Sequence, residues 1–88
     1  MTPEDICKEA ASILVGARLD SHGECSIMCS KIAEYWSVYL GEPISQLDVA
    51  NMMELLKVAR SVIKPNHLDN YVDRCGYAAI AGALSKAR

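Results

Sequence analysis

Phenylalanine is absent from this sequence and aromatic residues make up only 6% of it, although 51% of its residues are hydrophobic. The apolar content therefore comes mostly from alanine, leucine, isoleucine, valine and methionine, which suit closely packed helices. The composition favours an all-α fold.

Long apolar runs are also missing, since none approaches the roughly 20 residues that a membrane-spanning helix requires. The N-terminal segment has neither the basic nor the apolar part of a signal sequence. We therefore expect a cytoplasmic protein without a membrane partner. Its 88 residues fit one domain, residues 1–88, and a chain this short is often helped by self-association.

An excess of basic residues is lacking, because the formal net charge is -2. Nonspecific binding to a nucleic-acid backbone needs a concentration of lysine and arginine, so the charge argues against a nucleic-acid partner. Local basic clusters remain able to hold a small anion.

The sequence has no C-x-x-C pair, the usual mark of a structural zinc hairpin. His22 and His67 add metal-type ligands to the cysteines, but the spacing gives only a weak zinc signal and we expect no metal. Free thiols that pack as small hydrophobic residues are the simpler interpretation in a reducing cytosol. The four cysteines are Cys7, Cys25, Cys29 and Cys75.

Capping signals divide the chain into four helices. Thr2 and Pro3 begin the first, Gly41 suits a left-handed cap at the end of the second, and Ser45 forms a capping box with Asp48 at the start of the third. The expected helices run from about Pro3 to about Arg18, through Met28 to Leu40, from Ser45 to Ile63 or Lys64 before Pro65, and from the Asn66–Asp69 cap to about Lys86.

Helical spacing of apolar residues predicts an antiparallel four-helix bundle. Trp36 is the largest expected core residue. Gly76 and Gly82, with several alanines, indicate a fourth helix approached closely by another backbone, either in the core or across the interface of a homo-oligomer. The predicted buried stripes are Met28, Ile32, Ala33, Trp36, Tyr39 and Leu40; Val49, Met52, Met53, Leu56, Ala59 and Ile63; and Leu68, Val72, Cys75, Ala79 and Ala83.

Polar residues also follow helical spacing. Asn66, Asn70, Asp73 and Tyr77 form one stripe on the fourth helix, either a ligand face or a solvated face. The turn at Pro65 places a basic strip on the third helix beside this polar stripe. The strip could hold phosphates while the stripe reads a ribose or base. Alternatively, the basic residues pair with acids among Asp69, Asp73 and Glu54. The basic strip consists of Lys57, Arg60 and Lys64.

Several segments resemble a family of small phage and prophage proteins that carries a domain of unknown function. The resemblance covers most of the chain and implies a phage context without naming a reaction. The segments are Ile32–Trp36, Leu40–Gly41, Asp48–Met53, Leu56–Arg60, His67–Asp73 and Gly76–Ala79.

A more distant resemblance is to MazG-type all-α nucleoside triphosphate pyrophosphohydrolases, in which two acidic helical motifs hold magnesium around a triphosphate. Asn70-x-x-Asp73 stands in the place of the second motif and Glu54-x-x-Lys57 in the place of the first. Because Asn and Lys replace two acidic ligands, this resemblance implies a nucleotide-binding fold that has lost its magnesium site.

We therefore expect a phage protein that acts in the bacterial host cell by sequestering a nucleotide immune signal without cleaving it, with no catalytic residue and no cofactor. One alternative is a pyrophosphohydrolase, for which Mg²⁺ would be the cofactor. Another is an adapter or inhibitor of a host protein, which would expose an apolar patch. The expected ligand-binding residues are Arg18, Lys57, Arg60, His67, Asn70, Asp73 and Tyr77.

Overall fold

The structure, a computed structural model, describes residues 1–15 and 25–86. In these two ranges all regular secondary structure is helical, which confirms the all-α fold. None of the helices described has the length and apolar character to cross a membrane. The helices are α1 (Pro3–Val15), α2 (Cys25–Leu40), α3 (Gln46–Ile63) and α4 (Leu68–Lys86).

Side chains cap the starts of α1 and α3 as their sequences predict. At α3 the Asp48 amide donates to the Ser45 hydroxyl at 3.0 Å, and the Ser45 amide donates to the Asp48 carboxylate at 2.9 Å. Thr2 and Asp5 form the same reciprocal pair at α1. There the backbone N–H of Thr2, and then its hydroxyl, lower the pKa of Asp5. Gly41 ends α2 with a φ of 68°, so the predicted left-handed cap is confirmed.

The helices pack in the spatial order α1, α4, α3, α2. The most extensive packing joins α3 to α4, while α1 lies against α4 and α2 lies against α3. The turn between α3 and α4 is short, which makes these two helices antiparallel neighbours. It is held by the Tyr71 hydroxyl, which donates to the Pro65 carbonyl at 2.8 Å, and by the His67 amide, which donates to the Lys64 carbonyl at 3.1 Å.

The apolar core is small and lies between α2 and α3. Cys29, Ala33 and Val49 form its buried centre. Trp36 packs against this centre but remains half-buried, so it borders the core and does not anchor it. Tyr39 and Leu40, expected on the buried side of α2, are exposed; the Tyr39 side chain is 88% exposed.

The side of α3 that is buried differs from the predicted side. The two are related by a rotation of roughly 100° about the helix axis, which is the angle between successive residues. Val49 is buried as expected, but Met52, Leu56 and Ile63 are exposed. Ala50 and Ser61 are buried instead. The side of α3 that faces α4 is therefore partly polar, and its most apolar side faces outward.

The predicted stripe on α4 is likewise only partly correct. Val72 is buried, but Leu68, Ala79 and Ala83 are exposed. A Cβ atom added at Gly76 or Gly82 would meet nothing within 4 Å in the described part of the chain. The expected close approach of a backbone within the core is therefore wrong at both glycines. The end of the first helix near Arg18 lies outside the described residues.

Candidate functional site

A buried ion pair joins the two central helices. Lys57 Nζ of α3 lies 2.9 Å from Asp73 Oδ2 of α4, and the two side chains are only 14% and 6% exposed. Ser61, one turn after Lys57, is also buried, and its hydroxyl donates to the Lys57 carbonyl at 2.8 Å. A charged pair buried this deeply fixes how α3 and α4 face each other, because each charge needs the other in the absence of water.

A cleft of about 330 Å³ opens where α3 and α4 meet at their shared turn. Asn70, which is 4% exposed, is the buried residue of its lining. The exposed side chains around it are mainly basic or ionisable. The cleft is lined by Arg60, Ile63, Lys64, His67 and Asn70.

The cations at the rim are available to a ligand. Within residues 1–15 and 25–86, neither Arg60 nor Lys64 lies within ion-pair distance of a carboxylate. Arg60 and Lys64 are one turn apart on α3, and His67 follows in the turn to α4. Two permanent positive charges thus stand over a buried amide that can both donate and accept hydrogen bonds.

The structure brings together three of the residues that the sequence nominated for a ligand site. Arg60, His67 and Asn70 line the cleft. Lys57 and Asp73 are the neighbouring buried pair, as the ion-pairing alternative predicted for Lys57.

The remaining nominated positions do not join the cleft. Tyr77 is half-buried and lies two turns beyond Asn70 along α4, outside the cleft lining. Arg18 lies outside the described residues. The interpretation of the polar stripe as a solvated face is wrong for Asn70 and Asp73, which are both buried.

Two cleft residues were not among the nominated ligand residues. Lys64 belongs to the basic strip, and its position one turn after Arg60 was the available signal. Ile63 was assigned to the core by its apolar character, yet it is 80% exposed at the cleft edge. No sequence signal separates an apolar residue that lines a cleft from one that fills a core.

The described residues give little support to metal binding or to catalysis by a cysteine. The described residues contain no group of three or more His, Cys, Asp or Glu side chains that could hold a metal ion. Cys7, Cys29 and Cys75 form no disulfide within the described residues. Burial raises the pKa of the Cys75 thiol, and the neighbouring Cys7 thiol raises it further. A raised pKa keeps Cys75 protonated at neutral pH, which makes it a poor nucleophile.

The fold and the cleft define a small all-α protein with a cationic pocket between two antiparallel helices. Residues 5–85 match the family described as Domain of unknown function (DUF6378), and the chain belongs to that family.

The chain is similar to the Gene 55 protein of Mycobacterium phage D29, with 39% identity over 75 residues, covering 85% of this chain and 50% of the relative. It is 37% identical over 76 residues to the Gene 55 protein of Mycobacterium phage L5, covering 85% of this chain and 49% of the relative. The chain thus spans about half the length of these curated relatives. No solved structure matches it.

Proposed function

We propose that this phage-family protein binds a nucleotide in the cleft between α3 and α4 and holds it without cleaving it, sequestering a nucleotide immune signal of the bacterial host. The observation that carries the proposal is the placement of Arg60 and Lys64, both without an acidic partner in the described residues, above the buried amide of Asn70. The cleft volume of about 330 Å³ lies at the small end of the range of about 300–1,000 Å³ for small-molecule sites.

Each part of the cleft matches one part of a nucleotide. The Arg60 guanidinium can bind a phosphate through two parallel hydrogen bonds, and Lys64 adds a point charge beside it. His67 supplies an imidazole at the rim, whose ring nitrogens can hydrogen-bond a phosphate or a base. The Asn70 amide can read a base edge or a ribose hydroxyl, because it carries both a donor and an acceptor.

Retention without cleavage is supported by the buried ion pair. Magnesium that serves phosphate chemistry is usually held by one or two carboxylates together with water and substrate phosphates. The Asp73 carboxylate already has the Lys57 ammonium 2.9 Å away. An ammonium at this position would compete with a metal ion for the carboxylate and for the phosphates.

A pyrophosphohydrolase of the MazG type is the second candidate, and one observation favours it. Lys57 and Asp73 belong to the two sequence motifs of that resemblance, and their side chains lie 2.9 Å apart between α3 and α4. Asn70 and Lys57 then stand where acidic ligands would be needed. This candidate requires magnesium-dependent release of pyrophosphate.

An adapter that binds a host protein is the third candidate, since it predicts an exposed apolar patch. Such a patch is present on the outward side of α3, where Leu55, Val62 and Ile63 are exposed.

Native mass spectrometry of the purified protein against linear nucleotides, cyclic nucleotides and ADP-ribose compounds separates these candidates. We expect one nucleotide to be retained unchanged at fixed stoichiometry, with or without magnesium. A product that appears only with magnesium would favour hydrolysis instead. If no member of the panel is retained by wild-type protein, nucleotide sequestration is wrong and a protein partner becomes the better hypothesis.

A further inference from the structure

The outward side of α3 is an apolar surface that nothing in the described chain covers. Its residues recur at helical spacing, so they form one continuous stripe along the helix. Leu55, Val62 and Ile63 are 66%, 76% and 80% exposed. The surface, which we name the outer stripe, consists of Met52, Leu55, Leu56, Ala59, Val62 and Ile63.

The order of residues in the outer stripe is suited to a second copy of the same helix. Bulky residues stand at both ends, Met52 at one and Ile63 at the other, while Ala59 stands near the middle next to Leu56. When the helix is reversed, Met52 of one copy falls opposite Ile63 of the other, and Leu56 falls opposite the space left by Ala59. A twofold axis needs this kind of self-complementary surface.

The charges at the two ends of α3 favour the same arrangement. Asp48 lies in the first turn, whereas Arg60 lies in the last turn and Lys64 caps the helix. Antiparallel packing of two copies places the acidic end of each helix beside the basic end of the other. It also makes the two helix dipoles antiparallel, which is the favourable orientation. Parallel packing would bring like charges together at both ends.

We propose that the outer stripe is the interface of a twofold-symmetric homodimer in which α3 of one chain packs antiparallel against α3 of its partner. Ile63 belongs both to the outer stripe and to the cleft lining, so the interface borders the cleft. The partner copy then covers the apolar edge of the cleft at Ile63.

Sedimentation analysis of three proteins tests the dimer without any ligand. The test variant is Val62→Glu, which places a charge within the outer stripe. The matched control is Val38→Glu on α2, where the side chain is 82% exposed and lies about half a turn away from the side that packs on α3. Wild type and Val38→Glu should have twice the mass of the 9.6 kDa chain, and Val62→Glu should have the mass of a single chain.

Circular dichroism of each variant must show the helix content of wild type. If Val62→Glu does not fold, Ala59→Glu replaces it, because Ala59 is also exposed and lies on the same side of α3. A wild-type protein that stays monomeric at every concentration overturns the proposal. The proposal is also overturned if the variants of the outer stripe remain dimeric, or if Val38→Glu dissociates the dimer.

Discussion

The side of α3 that packs against α4 carries Lys57 and Ser61, whereas the opposite side carries Leu55, Val62 and Ile63. The first side is buried although it is polar, and the second is exposed although it is apolar. An ordinary surface helix of a monomer has the reverse arrangement, with its apolar stripe toward the core.

The difference between the two sides indicates two kinds of partner. Buried polar groups are retained where their hydrogen bonds and charges are satisfied, as they are for Lys57 with Asp73. Exposed apolar side chains at helical spacing are retained where another surface covers them. In our account the inner side holds the cleft helices in register and the outer side binds a second copy of the chain.

The largest expected effect comes from removing one charge on the inner side. Asp73→Ala leaves the Lys57 ammonium buried without its partner, so we expect the free energy of unfolding to fall by about 3–5 kcal/mol. Urea denaturation followed by circular dichroism measures this change.

The control replaces both partners at once. The double variant Lys57→Met with Asp73→Leu should unfold at a urea concentration close to that of wild type, because an apolar pair removes the desolvation cost together with the attraction. If Asp73→Ala costs less than about 0.5 kcal/mol, as surface substitutions do, the inner side is not buried as described.

The next largest effect concerns Arg60, at the border between the two sides. Arg60→Ala should weaken binding of the retained nucleotide roughly 10- to 150-fold, since a hydrogen bond to a charged group contributes about 1.5–3 kcal/mol. Isothermal titration calorimetry measures the affinity.

Two control variants test whether the affinity depends on the position and shape of the Arg60 side chain or only on its charge. Lys31→Ala removes an equal charge from the exposed surface of α2, where Lys31 pairs with Glu34, and should leave the affinity unchanged. Arg60→Lys should recover only part of it, because lysine lacks the planar pair of donors. Equal losses in Arg60→Ala and Lys31→Ala would mean that the ligand responds to net charge and not to the cleft.

A smaller effect is expected at the two capping boxes. Ser45→Ala should lower the free energy of global unfolding by about 1 kcal/mol, because Ser45 fixes the first turn of the helix that carries both sides. Thr2→Ala removes the same kind of cap from α1, whose only buried residue is Ala10, so its effect should be mainly local fraying. Urea titrations of the two variants measure the free energy of global unfolding. A larger decrease in Thr2→Ala than in Ser45→Ala would show that α1 belongs to the cooperative core.

The smallest expected effect comes from α4. Gly82→Ala should stabilise the protein by about 0.5–1 kcal/mol, since an added Cβ there meets no neighbour within 4 Å and removes the entropic cost of a helical glycine. Thermal unfolding detects the gain, and sedimentation should show an unchanged dimer. If the substitution weakens the dimer, the interface runs along α4, as its small residues suggested, and not along the outer stripe.

These comparisons also show what the sequence could predict. The four helices, the Ser45–Asp48 capping box and the cap at Gly41 follow from local chemistry, and the structure confirms them. Arg60 on α3, His67 in the turn and Asn70 on α4 line one cleft, because the short turn at Pro65 restricts how the two helices meet.

The rotation of α3 could not be predicted in the same way. An apolar stripe shows which side of a helix avoids water, but it does not say whether its own chain or a second chain covers that side. The stripe of Met52, Leu56 and Ile63 was therefore assigned to the core, and Ser61 was missed. The Lys57–Asp73 contact depends on this rotation, and spacing alone left it as one of several pairings.

Amide NMR spectra recorded during a titration test whether the cleft between α3 and α4 holds the nucleotide, as we propose. The probe is the compound that native mass spectrometry finds retained, with inorganic pyrophosphate as a phosphate-only comparison. We predict that the largest shifts fall on Arg60, Lys64, His67 and Asn70, with weaker shifts from pyrophosphate at the first two. Shifts concentrated on α1 or on the exposed side of α2, with the cleft amides unmoved, would contradict the claim.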